Sequence, residues 1–376
     1  MSEMKKIKNL KEFSTSADRF EGANLLCPGC AHSIIVREVL NATNDDLVLG
    51  ASTGCLEVCT AVYPYTSWDA SWIHIGFENG STAVSGAEAM YKALKTKGRL
   101  KQPDRNPKFV AFGGDGSSYD IGFQWISGCM ERNHDMMYVV LDNEVYANTG
   151  GQRSSSTPIG SSATTSPAGS ISYGETRNKK DMLGIMAAHN IPYAAQVAPN
   201  KWKDMVKKIQ KGFATEGAVF INAVSPCTTE WKFDPKDTMH LTDLATDSLV
   251  FPLYEIIDGH EFNITYRPKN VVPVEEYLAA QGRFKHLFKD EYKYLIKEWQ
   301  ERVDANWAYL NKREEEEFSH ELLALANLAQ KSNTAGNSLA LVGCFAQSSP
   351  NLKLLCFDIT FKFLTSIYNQ TFLLKY

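Results

Sequence analysis

Short apolar runs, each ending in a turn rich in glycine or cysteine, recur from about residue 20 to 235: DDLVLGASTGC, KFVAFGGDGSS, MMYVVLDNEVY and GAVFINAVSPC. Apolar runs of this length bounded by turn residues predict buried strands. Between them lie stretches whose apolar positions recur at helical spacing: His32–Ala42, Ala83–Leu94 and Tyr119–Arg132. The alternation predicts an α/β fold, a mostly parallel sheet with helices on both faces. In such sheets ligands bind outside the carboxyl ends of the strands. All four quoted turns fall at such ends, so they are expected to converge on one site.

Past about residue 236 the pattern weakens. Lys269–Leu287 and Tyr292–Glu316 read as an arm ending in an amphipathic helix, with Arg313–Glu317 a solvated face. From about Leu341 the chain turns apolar and aromatic, yet Lys and Asp interrupt it too often for a membrane helix. Residues 153–178 are rich in Ser, Thr, Gly and Pro. They read either as a flexible linker or as an ordered loop beside the site. The second is expected, because loops of this length commonly serve ligands. Four regions follow: an N-terminal extension over 1–20, the α/β domain over 21–240, a C-terminal arm over 241–320 and a tail without an assigned role over 321–376. No internal repeat is visible.

The chain has 376 residues, 44% of them hydrophobic, ample for a buried core. Its formal net charge of −4 gives no basic excess for nucleic acid, and no Lys/Arg block suggests a membrane surface. The start, MSEMKKIKNLKEFS, has charge but no apolar run behind it, so neither a signal peptide nor a membrane span is expected there. A cytoplasmic protein is the expectation. Eight cysteines then stand out. In a reducing compartment clustered cysteines lean toward metal or redox chemistry, although each alone would also serve as a packed core thiol.

One constellation is Gly114-Asp115-Gly116, a helix, and a strand ending Leu141-Asp142-Asn143. Asp115 and Asn143 stand 28 residues apart, so one helix and one strand return the chain to the same sheet edge. A carboxylate and an amide carbonyl would then face one point. Both are hard oxygen donors suited to Mg²⁺, whose remaining positions phosphates commonly fill. The glycines let backbone N–H groups approach a diphosphate, and a helix beginning near Ser117 adds its positive end. Two ordinary strand-end turns would give the same letters.

A second constellation is sulfur. Cys27-Pro28-Gly29-Cys30 is a CxxC in an N-terminal loop; Cys55 and Cys227 each follow a strand. Four thiolates fit tetrahedral zinc or a cubane iron–sulfur cluster, and spacing leaves both open. Ligands on separate strand ends imply a site embedded in the domain. Cys59 is a rival fourth ligand, Cys129 reads as a core thiol, and Cys344 and Cys356 in the tail receive no role.

The segments CPGC, TGCLEVCTAVYPYTSW, IHIGFEN, GGDGSSYDIGFQ, LDNEVYANTGGQRSSSTP and SPC, in that order, with a later PVEEYLAAQGRF, resemble the β subunit of pyruvate:ferredoxin oxidoreductases (pyruvate synthases). The likeness covers roughly residues 20–290. The wider family also handles 2-oxoisovalerate, 2-oxoglutarate and indolepyruvate. The resemblance implies the thiamine diphosphate-binding fold, with Mg²⁺ and one [4Fe–4S] cluster. Cys27, Cys30, Cys55 and Cys227 would ligate the cluster. Asp115 and Asn143 would bind Mg²⁺ through side chains and Val145 through its carbonyl. Asn148 would sit near the substrate carbonyl; Gly54, Gly114 and Gly116 would shape the diphosphate pocket, and Phe77 would pack against the cofactor rings. Family members often carry Gly after the second cysteine, where this chain has Ala31-His32; His32 reads as a helix-start residue.

The implied reaction is reversible oxidative decarboxylation of a 2-oxoacid, pyruvate first, with coenzyme A, passing electrons to ferredoxin. Activation of the cofactor needs a carboxylate, for which Glu57 and Glu78 are candidates by position alone. The resemblance places that glutamate on a partner α subunit, and implies γ- and δ-type subunits for electron exit. Two rivals stay open: a non-oxidative thiamine diphosphate decarboxylase with structural cysteines, and a non-catalytic electron-transfer or zinc-scaffold subunit.

Overall fold

The computed structural model describes residues 9–14 and 18–333, with side chains up to residue 316. Cys344, Cys356 and most of the expected tail lie outside the described residues. The chain divides into two units, Met1–Glu314 and Glu315–Tyr376; of the second, residues 315–333 are described and are helical.

The first unit is built on eight strands: β1 (Leu47–Ser52), β2 (Ser71–Ile75), β3 (Lys108–Gly114), β4 (Met137–Asp142), β5 (Tyr193–Val197), β6 (Val219–Val224), β7 (Tyr254–Ile257) and β8 (Glu261–Ile264). They lie in the order β2-β1-β3-β4-β6-β5-β7-β8. The first six are parallel; β7 pairs antiparallel with β5, and β8 antiparallel with β7. β4 and β6 are buried along their whole length, which is why they read as unbroken apolar runs. Alternate residues serve opposite faces. Val110, Val139 and Ile221 pack with Ile35 and Val36 of helix Ala31–Asn41 and Met205 and Ile209 of helix Trp202–Ala214. Ala111, Tyr138 and Phe220 pack with Val84 of helix Gly80–Thr96 and Ile126 and Met130 of helix Phe123–Glu131. Helices therefore cover both faces, as the sequence predicts. Cys129 is buried among the latter group.

The strands whose ends carry the quoted turns, β1, β3, β4 and β6, are consecutive neighbours in the sheet. Their carboxyl ends therefore form one continuous rim.

Up to Glu314, the stretch expected as a C-terminal arm contributes both strands and core. β7 and β8 extend the sheet, and a third core joins Val224 at the end of β6 to Phe251, Tyr277, Phe284 and Trp299. Phe251, Tyr277 and Phe284 come from short segments with no single period, so there the sequence pattern fades where the fold does not. Among the described residues, no helix is long and apolar enough to cross a membrane.

Candidate active site

The rim opens into a cavity of about 190 Å³ behind the ends of β1, β3 and β4. Its lining includes Gly54, Phe77, Gly114, Asp115, Gly116 and Asn143, together with Val145 and Asn148. The chain leaves β3 through Asp115 into a π-helical turn, Gly116–Ile121, before helix Phe123–Glu131 begins. The sequence reading expects an ordinary helix from Ser117. The wider turn is a feature found often at functional sites. Gly116 has no room for a side chain, since a Cβ would run into the Tyr146 ring. Phe77 meets that ring edge-on, 5.8 Å between centroids.

The Asn143 amide has two orientations open to it. With nitrogen forward it would donate to Asp115 Oδ1 at 2.8 Å and to the Val145 carbonyl at 2.7 Å. With oxygen forward, three oxygens face one another at those separations. Neighbouring ligands on a magnesium octahedron, at 2.0–2.1 Å from the metal, lie about 2.9 Å apart. A cation would select the second orientation. Asp115 also lacks positive charge. It is 1% exposed. Burial and the Asp142 carboxylate push its pKa well up, offset by the Ser154 hydroxyl, which donates to Oδ2, and by Lys179. This donor set fits Mg²⁺.

A second cavity, of about 200 Å³, is lined by Cys27, Cys30, Cys55, Cys59 and Cys227. Cys27 and Cys30 flank the turn before helix Ala31–Asn41. Gly29 within it sits at φ 73° against the Pro235 backbone, where a side chain would not fit. Cys55 starts the helix after β1, and Cys227 follows β6. Backbone N–H groups face two of the sulfurs: His32 toward Cys30, and Thr229 and Glu230 toward Cys227. Burial first, then the neighbouring thiols, push Cys55 up to about 12; burial pushes Cys227 to about 11. As bare thiols they would hold their protons at neutral pH, and a soft cationic group would be needed to draw them off. Among the described residues, no group of three or more His, Cys, Asp or Glu is gathered closely enough to hold a metal ion. Five sulfurs on one cavity are the kind of donors a cubane cluster takes. Cys59, the rival fourth ligand, stands on the same wall.

The two cavities share His32, Cys55, Asn143, Ala147 and Asn148. Asn148 thus stands where they join. His32 is more than a helix-start residue: it is 4% exposed, and neither ring nitrogen has a hydrogen-bond partner. Burial lowers its pKa to about 4.

Sequence reasoning missed the layer behind Asp115. Asp142 accepts from Ser156 Oγ at 2.5 Å and Tyr119 at 3.0 Å, and pairs with Lys179 at 2.8 Å. Lys179 also pairs with Glu144 at 2.9 Å, and Arg283 closes on Glu144 at 2.6 Å. The segment after Arg153 is therefore an ordered loop that reaches the site through Ser154 and Ser156. Its Ser-rich composition was the available signal. Lys179 and Arg283 carried none, because their partners are remote in sequence. Of the carboxylate candidates, Glu57 pairs with His74 at 3.1 Å, and neither Glu57 nor Glu78 lines the first cavity.

Residues 52–223 match the model for the thiamine pyrophosphate enzyme C-terminal TPP binding domain. Pyruvate synthase subunit PorB of Methanocaldococcus jannaschii is 49% identical over 265 residues, 70% of this chain and 88% of that one. The PorB subunit of Thermotoga maritima is 41% identical over 315 residues, covering 82% and 97% of the two chains. Ketoisovalerate oxidoreductase subunit VorB of Pyrococcus furiosus is 36% identical over 288 residues, 75% and 92%. With the rim geometry, these likenesses lead to one conclusion: the chain belongs to the PorB family of β subunits of 2-oxoacid:ferredoxin oxidoreductases, enzymes with a thiamine diphosphate-binding domain.

Proposed function

We propose that this chain is the subunit in which a pyruvate:ferredoxin oxidoreductase carries out its chemistry: pyruvate and coenzyme A give acetyl-CoA, carbon dioxide, a proton and two electrons, which leave for ferredoxin. The observation that carries the reading is the shared wall. A cavity with an oxygen cage suited to Mg²⁺ adjoins one ringed by cysteines, with Asn148 and Cys55 common to both. A non-oxidative decarboxylase has no use for five cysteines on that wall.

Asp115, Asn143 and the Val145 carbonyl would hold Mg²⁺, and Gly54, Gly114 and Gly116 would leave space for the diphosphate. Phe77 would cover the rings, and Cys27, Cys30, Cys55 and Cys227 would hold a [4Fe–4S] cluster. Bound there, thiamine diphosphate supplies the carbon nucleophile and electron sink for decarboxylation, and the cluster supplies the electron acceptor. The chain's own residues set the stage. Asn148 offers an amide to orient the 2-oxo group where the cavities meet. Ser154 and Ser156 fix the carboxylates behind the metal. The α-, γ- and δ-type subunits would complete the enzyme in the cytoplasm.

Pyruvate is preferred over 2-oxoisovalerate because the PorB likenesses reach 49% identity against 36% for VorB. The test is anaerobic co-purification with partner subunits, iron and thiamine diphosphate analysis, and a screen of 2-oxoacids with coenzyme A and a viologen dye. Four irons per chain and fastest dye reduction with pyruvate are expected. An iron-free enzyme that merely releases carbon dioxide would overturn the proposal.

A further inference from the structure

Two side chains on the rim have no role in the reaction as described. His32 is almost fully buried, both ring nitrogens lack partners, and it lines both cavities. Ser225 is fully buried at the end of β6, its hydroxyl also lacks a partner, and it lines the cysteine cavity. Buried polar groups left unpaired cost roughly 1–3 kcal/mol each and are rare in folded proteins. Two of them on one sulfur-lined wall point to a ligand that brings acceptors with it. Both can donate to it: an imidazole carries at least one N–H in every protonation state, and a serine hydroxyl carries one O–H. The backbone already does the same nearby, turning N–H groups toward Cys30 and Cys227.

We propose that His32 and Ser225 are positioning residues that donate hydrogen bonds to sulfurs of the cluster and thereby set its reduction potential. The inference rests on the iron–sulfur reading above. A hydrogen bond to a cluster sulfur favours the form carrying the extra electron, so each donor raises the potential. Ser225 acts from the cysteine side alone. His32 belongs to both walls, so it fixes the cluster's electronic setting at the boundary with the cofactor cavity.

The test is a redox titration of the assembled, anaerobically purified enzyme, followed by electron paramagnetic resonance, in wild type, S225A, H32L and H32Q, with iron determined in each. S225A and H32L are expected to keep their iron and titrate at more negative potentials. H32Q, which restores an N–H, is expected to return toward wild type. S225A removes a single buried oxygen, so it carries the test if a His32 variant fails to fold. Wild-type potentials in both S225A and H32L would overturn the inference. So would an H32Q shift as large as that of H32L, or loss of iron from all three variants. Wild-type enzyme without iron would overturn the iron–sulfur reading, and this one with it.

Discussion

Asp115 is a buried carboxylate set beside a second one, Asp142. The hydroxyl of Ser154 and the charge of Lys179 only partly compensate. In the assembled enzyme a divalent cation would supply the missing charge. Loss of residues that merely support metal ligands costs ~10–100-fold in affinity, so loss of the carboxylate itself should cost at least about 100-fold. Calorimetry of magnesium-dependent thiamine diphosphate binding should therefore show Asp115→Ala at that level and Ser154→Ala at about 10-fold. Unchanged affinity in Asp115→Ala would remove the metal assignment. Asn148 differs, because it stands where the two cavities meet. Asn148→Ala should lower kcat by about 10²-fold, a loss typical of a positioned donor, while cofactor and iron contents stay at wild-type levels. If iron fell with kcat, Asn148 would belong to the cluster wall instead.

At the scale of elements, the loop from Arg153 to Asn178 is held by one buried carboxylate. Glu175 accepts from Arg153 at 3.0 Å, Arg177 at 2.8 Å and Ser166 at 3.0 Å. Burial alone would raise its pKa, but the side chain and backbone of Arg177, then Ser166 and Arg153, outweigh it and hold it at about 2 against an ordinary 4.5. A carboxyl depressed on folding stabilises the native state fully above 4.5 and loses that contribution as the pH falls toward 2. Glu175→Gln should thus cost about 1–3 kcal/mol at pH 7, the range for hydrogen bonds to a charged group. The stability gap from wild type in urea titrations should narrow as the pH drops from about 4.5 to about 2. A gap independent of pH would mean that the loop is held by its other contacts. The loop also marks what the sequence concealed. The sheet, the Asp115–Asn143 spacing and the three turns that carry Cys27, Cys30, Cys55 and Cys227 were legible because each depends on near-neighbour patterning: an apolar run, a turn, and the fixed reach of one helix and one strand. The Asp142–Lys179–Glu144–Arg283 chain was not, since Arg283 meets Glu144 across 139 positions. Nor was the role of His32, whose meaning lies in what its nitrogens fail to find. The membership of β7 and β8 in the sheet was hidden too, because four-residue strands leave too short a period to read.

At the scale of the molecule, the rim is incomplete for acid–base work. Asp115 is the one carboxylate among the described residues that line the cofactor cavity, and its oxygens are committed to the oxygen cage and to Ser154. Glu57 is turned to His74, and Glu78 lies off the cavity wall. Activating thiamine diphosphate needs a carboxylate free to share a proton with the cofactor, and a positioned general acid or base contributes typically 10²–10⁴-fold. On the reading proposed above, a partner subunit would bring that group to the rim, which would tie turnover to assembly more tightly than electron exit alone would. The purified chain, loaded with iron under anaerobic conditions and given thiamine diphosphate and Mg²⁺, should reduce viologen dye with pyruvate and coenzyme A at least about 10²-fold more slowly than the assembled enzyme. Adding the partner subunits should restore the rate. Because the dye would take electrons directly from the proposed cluster beside the exposed Cys27, a deficit in electron exit would not explain the difference. Comparable rates with and without partners would show that the proton-sharing group lies within this chain, in residues other than those lining the cavity.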